Sequence, residues 1–288
     1  RHTFSSWQIH GNTPYTYNIF VPVFAQGRQA KVLLRGELAL FKKSLEEWTG
    51  NTVTEQALDH AIEVYNTNRR LMRQVYERRR ADRPPISGAE AMDMVLASQI
   101  MDKEEHNRLL ADAISKLPQR KDRGEPGVRL MLLGSDTHDT RLERLIESLG
   151  ATIVIDELCN GSGYFWSEVI PQEDRLIAIA MRYLDKPHCP LKDIRYRRRP
   201  THIQHLAEDY DVQGVVMSLQ KYCVPHHFDN PFVMDALRER GIPFHLLERD
   251  TTIPVGETQT RIEAFLDIFR PELVQVRHKS PFGQLEVE

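Results

Sequence analysis

Apolar and polar residues alternate by two different rules along this chain. Up to about residue 120 the rule is helical. In "ELALFKKSLEEWTG" the apolar residues Leu38, Phe41, Leu45 and Trp48 recur every three or four positions, and Gly50 supplies a stop. "TEQALDHAIEVYNTNRRLMRQVYERRR" predicts a long amphipathic helix with Leu58, Ile62, Tyr65, Leu71 and Val75 on or near one face, broken by "ADRPPISG". "SGAEAMDMVLASQIM" and "KEEHNRLLADAISKL" predict two more helices. Residues 1–35 are rich in aromatics and turn formers, and predict an irregular segment with one short strand at Tyr17–Pro22. The charged, Pro- and Gly-containing stretch 118–127 predicts a linker.

Beyond it, short continuous apolar runs alternate with helical periods. "VRLMLLGS", "ATIVID", "VQGVVMSL" and "IPFHLLERD" predict four buried strands. "DTRLERLIESLG", "PQEDRLIAIAMRYLD", "THIQHLAEDYD", "NPFVMDALRERG" and "GETQTRIEAFLDIFR" predict helices between and after them. Alternation of this kind implies a parallel sheet covered on both faces. The expected architecture is α/β: a mainly helical remainder of an N-terminal domain over 1–125, and a Rossmann- or flavodoxin-like parallel-sheet domain over 126–288.

Composition narrows the function classes. The 288 residues are 41% hydrophobic and 27% charged with a formal net charge of −3, so no bulk electrostatic attraction to nucleic acid or a membrane surface is expected. No apolar run approaches the ~18 residues of a membrane span. The opening Arg1-His2-Thr3-Phe4 has no initiator Met and no signal-peptide pattern, and reads as cut from a longer chain. Three cysteines without a CxxC pair do not make a disulfide framework or a zinc ribbon, and point to a reducing cytoplasm.

The cysteines nevertheless fall in telling places. Cys159 follows the second strand, Cys223 follows the third, and Cys189 lies in the connection between those strands. Carboxyl ends of parallel strands form the ligand crevice of an open α/β sheet. Three thiols brought there from separate loops suit a soft metal or an iron–sulfur cluster. The glycines of "CNGSG" would let backbone approach such a group. Two other readings stand beside this one: unrelated small buried side chains, or a reactive thiol using His226 or His227. Ser135 and Asp136 after the first strand are candidate helix caps or a polar wall of the crevice. His138, His226 and Glu248 are candidate proton donors by placement. Tyr164 and Trp166, with Ser135, are candidate substrate-pocket residues, and Phe165 fits ordinary core packing. The basic run "RYRRRP" (195–200) reads as a solvated face, or else as a contact for a phosphate-bearing ligand or a partner.

With those residues in place, a family resemblance emerges. "LLGSDTHDTRLERLIESLGATIVIDELCNGSGYFW", "RYLDKPHCP", "KYCVPHHFDNPFVMDALRERGIPFHLLERDTT" and "GETQTRIEAFLDIF" together resemble the iron–sulfur subunits of 2-hydroxyacyl-CoA dehydratases and benzoyl-CoA reductases, as does "LLRGELALFKKSLEEWTG". The likeness covers most of 125–270. It implies a 4Fe–4S cluster held by Cys159, Cys189 and Cys223, a homologous sister subunit, an acyl-CoA substrate and a separate ATP-hydrolysing iron–sulfur activator. The loop "DELCNGSGYFW" is most similar to the B- or C-type subunits of benzoyl-CoA reductase, which implies an oxidoreductase that dearomatises an aromatic acyl-CoA by single-electron steps. A dehydratase subunit (a radical lyase) and a non-catalytic electron-relay or scaffold subunit are the alternatives. Family members often carry a further cysteine upstream of where this chain begins, so the resemblance implies that the remaining iron takes either that upstream ligand or a non-cysteine one. No Gly-rich phosphate loop is present, and ATP is not expected to bind this chain.

Overall fold

A computed structural model describes residues 2–27, 29–120, 126–186, 189–192, 196–250 and 255–270. Among them, five α-helices precede the first strand: α1 (His2–His10), α2 (Ala30–Thr49), α3 (Glu55–Glu77), α4 (Gly88–Ile100) and α5 (Lys103–Lys116). The remainder runs β1 (Val128–Gly134), α6 (Arg141–Ser148), β2 (Ala151–Leu158), α7 (Ser162–Phe165), α8 (Arg175–Leu184), α9 (Arg199–Asp209), β3 (Gly214–Gln220), α10 (Val224–Glu239), β4 (Phe244–Arg249) and α11 (Val255–Leu266).

Local chemistry sets the helix ends. Thr54, Asp102 and Asp174 each accept a backbone N–H at the start of α3, α5 and α8, and Ser87 forms a reciprocal capping box with Glu90 on α4. Gly50 closes α2 in the left-handed region, as its position after Trp48 predicts. The expected linker lies partly outside the described residues, at 121–125.

Two expectations for the amino-terminal stretch are corrected. It holds α1 and the first turn of α2, and no strand forms at Tyr17–Pro22. Among the described residues no neighbouring strand offers that segment a ladder, so its apolar residues are left without sheet pairing.

The four strands are all parallel, in the order β2-β1-β3-β4. β1 and β3 are central and almost wholly buried, which is why they read as unbroken apolar runs. Chain direction across the sheet reverses between β1 and β3, so the carboxyl ends of these strands border a topological switch point, the place where open α/β sheets bind ligands. Gly134, the last residue of β1, is required there. Its φ is +137°, and a Cβ would lie 2.0 Å from the Ser218 carbonyl oxygen on β3.

One hydrophobic cluster takes in the sheet and part of the helical region. Met72, Val75 and Tyr76 of α3 and Met92 and Val95 of α4 join Leu130, Ile155, Val216 and Phe165. Each fully buried side chain of this size contributes about 1.5–3 kcal/mol. That joint burial packs α4 against β2 and α3 against α7, the short helix that follows the Cys159 turn.

Candidate functional site

β2 continues two residues past Asp156, so Cys159 follows the strand immediately. Its turn is shaped from below by Asp156. The Asp156 carboxylate accepts the Tyr76 hydroxyl and, at 2.8 Å, the Ser162 amide, while Ser162 Oγ donates to the Asp156 carbonyl at 2.6 Å. A Cβ at Gly161 would sit 1.9 Å from Asp156 Oδ2. Gly161 is therefore needed for the carboxylate, which corrects the expectation that all the glycines of this loop make room for a ligand. Gly163 is the one that faces the cysteine cavity. Asn160 ties the loop across to the end of β1, accepting the Thr137 amide and donating to the Thr137 carbonyl.

The described thiols draw together. Cys159 and Cys189 line one cavity of about 80 Å³ with Glu157, Lys186 and His226. Cys223 lies close enough to act electrostatically on Cys159. Cys159 is exposed as a residue, yet partial burial of its thiol, then the charges of Glu157 and Cys189, push that thiol up to about 12, against a smaller opposing pull from Arg199. Cys223 stands at the amino end of α10, which begins at Val224 and not at Asn230 as the apolar period suggests. Pro225 in the first turn is the overlooked start signal. His226 and His227 thus belong to a helix.

His226 is almost fully buried, and its Nε2 is 3.3 Å from Cys159 Sγ. Burial, then Arg199 and His227, pushes its pKa down to about 3, so the ring is neutral near pH 7. Cys159 itself, held that far up, is a thiol near pH 7; as a metal-bound thiolate it would accept Nε2–H from the neutral imidazole. Its Nδ1 is buried and has no hydrogen-bond partner among the described residues.

Beneath both lies a buried ion triad that sequence reasoning missed. Arg199 is 1% exposed. It donates to Glu157 Oε2 at 2.6 Å and to Asp229 Oδ2 at 2.6 Å. Burial alone disfavours the guanidinium charge, but the two carboxylates outweigh it and raise its pKa; burial raises Glu157 while Arg199 opposes that shift. Arg199 belongs to the basic run 195–200, so the solvated-face reading is corrected for this member. Its partners are 42 and 30 residues away, which no local charge pattern reveals. Lys186, facing the cavity, is lowered by burial and by Arg182 and Lys192, with the two cysteines pulling the other way.

The remaining candidates separate. Ser135 is buried, and its Oγ accepts the Gln220 amide at 3.1 Å, bridging β1 to β3; it neither caps α6 nor reaches the cavity wall. His138 is exposed beside Asp136, at 3.5 Å. Glu248 is exposed and faces His227 at 3.8 Å. Of the three candidate proton donors, only His226 touches a cysteine. Phe165 is core, tilted against Tyr76. Trp166 packs on the same core and meets His202 edge-on, and Tyr164 faces a different pocket.

The donor set fits an iron–sulfur group in kind: three thiols on the sheet's ligand rim, with a buried imidazole already seated against one of them. Among the described residues, no three His, Cys, Asp or Glu side chains form a metal shell by themselves. Among the same residues, no helix is long and apolar enough to cross a membrane.

The family model for the 2-hydroxyglutaryl-CoA dehydratase D-component matches residues 1–269, so the chain belongs to that family. The (R)-phenyllactyl-CoA dehydratase beta subunit of Clostridium sporogenes is 24% identical over 252 residues, 85% of this chain and 67% of that relative. The beta subunit of lactoyl-CoA dehydratase from Anaerotignum propionicum is 24% identical over 242 residues, covering 83% and 64%. A benzoyl-CoA reductase subunit of Thauera aromatica is 23% identical over 212 residues, covering 72% and 55%. The chain thus spans about two thirds or less of the length of these relatives.

Proposed function

We propose that this member of the 2-hydroxyglutaryl-CoA dehydratase D-component family is the iron–sulfur subunit of an assembly acting on acyl-CoA thioesters. In this reading Cys159, Cys189 and Cys223 hold a 4Fe–4S cluster. The observation that carries it is the shared cavity of Cys159 and Cys189 on the switch-point rim, with Cys223 in electrostatic reach. When bound, such a cluster supplies single electrons at low potential.

The chain's own residues do the rest. With the cluster bound, the Cys159 sulfur would accept Nε2–H from His226, 3.3 Å away, which would fix its orientation and offset its negative charge. The Glu157–Arg199–Asp229 triad holds α9 and α10 together beneath His226 and gives the buried Arg199 guanidinium two carboxylate partners. Gly161 and Asp156 fix the turn that aims Cys159, and the Phe165–Tyr76 pair seals its underside from water. Tyr222, Val224 and Phe228, all exposed next to Cys223, offer apolar surface for the sister subunit to cover. A separate ATP-hydrolysing activator would deliver the electrons, and the cytoplasm would provide the reducing surroundings that free thiols need.

For the reaction we favour reduction of an aromatic acyl-CoA, on the loop "DELCNGSGYFW" and the likeness to a benzoyl-CoA reductase subunit. The second reading, dehydration of a 2-hydroxyacyl-CoA, is favoured by the relatives named as dehydratase beta subunits. The full-length protein, co-produced anaerobically with its sister subunit and an activator, separates them. Ring reduction with stoichiometric ATP hydrolysis supports the reductase. Dehydration with only catalytic ATP supports the lyase. A wild-type cluster that loads normally while cluster-free cysteine variants keep full turnover supports a scaffold role, since an electron relay would lose turnover with its cluster.

A further inference from the structure

A second pocket, of about 240 Å³, lies on the other side of α7 from the cysteines. Gly163 faces the cysteine cavity and Tyr164, its neighbour, faces this one. The pocket runs between α3 and α8. Tyr65, Tyr164 and Tyr183 supply rings, Ile62 and Ile179 supply apolar wall, and Arg69 and Arg182 supply charge.

The charge is the anomaly. Arg182 is only 8% exposed, yet it donates to neutral carbonyls, those of Ser167 and Tyr164. Arg69 donates to the Asn66 side-chain oxygen at 2.8 Å, again a neutral partner. Among the described residues, no carboxylate lines the pocket. The acid acting on Arg69 is Glu168, and Arg70 and Arg73 occupy both of its oxygens. A third cation, Lys103, stands alongside with Nζ 3.3 Å from the Tyr164 hydroxyl. Arg69 and Arg182 repel each other, and burial, followed by that repulsion, pushes Arg69 down to about 10. Holding two guanidiniums here without an acid is costly unless something anionic completes the site.

We propose that this pocket binds a small carboxylate on an aromatic body, its two oxygens taken by Arg69 and Arg182 and its ring by the tyrosines. Guanidinium matches the carboxylate fork, and the volume lies below the ~300–1,000 Å³ of pockets for drug-sized ligands, which favours a single ring. A thioester has no negative charge at its acyl carbon, so the two arginines answer to a free acid and not to an acyl-CoA carbonyl. This site does not depend on iron at the cysteines.

Calorimetric titration of the full-length protein with benzoate tests it, with benzamide as the neutral isostere and inorganic phosphate as the other anion. Saturable binding of benzoate at one site per chain is expected, at least about tenfold tighter than benzamide. R69Q should weaken benzoate about tenfold or more, with circular dichroism unchanged, because among the described residues Arg69 makes one hydrogen bond, to Asn66, and otherwise lies over the Tyr65 ring. R182Q also removes the ties to Ser167 and Tyr164, so R69Q is the deciding variant. C159S should leave benzoate binding as it was, which keeps this test separate from the cluster reading. Equal binding of benzamide, preference for phosphate over benzoate, or R69Q without effect each overturns the proposal.

Discussion

Glu143 presents a sharp pH test of the interior beneath the crevice. It lies on the first turn of α6, is 1% exposed, and only its own amide comes near its carboxylate, with no other hydrogen-bond partner among the described residues. Burial pushes its pKa from 4.5 up to about 7; Asp156 and Asp139 push the same way, while its own amide and Arg249 pull back. The folded state therefore binds this proton more tightly than the unfolded chain. The destabilisation is absent below pH ~4.5, grows between there and pH 7, and is complete above it. The displacement corresponds to about 3 kcal/mol. Glu143→Gln mimics the protonated form at every pH. Urea unfolding of both proteins at pH 5, 6, 7 and 8 should show the difference moving in favour of Gln by roughly 2 kcal/mol across the series. A constant buried-amide term can offset the whole curve but cannot give it a slope. A difference that stays flat from pH 5 to 8, or moves toward Glu as pH rises, refutes the reasoning.

Three further perturbations address the cysteine loop and its support. Arg199→Met should destabilise the fold by about 3–5 kcal/mol, since Glu157 and Asp229 are then buried without a counter-charge; an effect under ~1 kcal/mol in denaturant would contradict the triad's role. Gly161→Ala forces a methyl onto Asp156 Oδ2 and should cost at least ~1–3 kcal/mol, whereas Gly163→Ala, with nothing nearer than 3.8 Å, should be almost neutral; thermal melts of the two variants side by side test the contrast. Tyr76→Phe removes a donor from the buried Asp156 and should cost ~1–3 kcal/mol, read by the same denaturant titration.

Much of the α/β region was legible because its code is local. The runs "VRLMLLG" and "GVVMSLQ" can bury both faces only as central parallel strands, and they do. Cys159 and Cys223 could be assigned to the carboxyl ends of parallel strands by strand counting alone, and they follow β2 and β3. The unread parts are those in which partners are distant in sequence. Arg199 looks like one more surface arginine until Glu157 and Asp229 arrive from β2 and α10. Arg182 sits on a helix face whose apolar period gives no hint that its guanidinium is buried. The first turn of α10 was hidden because "VPHHFD" has no apolar rhythm, although proline at a helix start is a readable signal. The imagined strand at Tyr17–Pro22 failed for the opposite reason: β-favouring residues cannot form a strand without a neighbour to pair with.

The central claim is that Cys159, Cys189 and Cys223 are iron ligands, and metal content tests it most directly. The full-length protein, purified anaerobically with its sister subunit, should be brown and carry iron and acid-labile sulfide in near-equal amounts. Single substitution of each cysteine by Ser should sharply reduce the iron assigned to this subunit while the fold persists by circular dichroism. A colourless, iron-free wild-type assembly, or three serine variants that retain full iron, would contradict it.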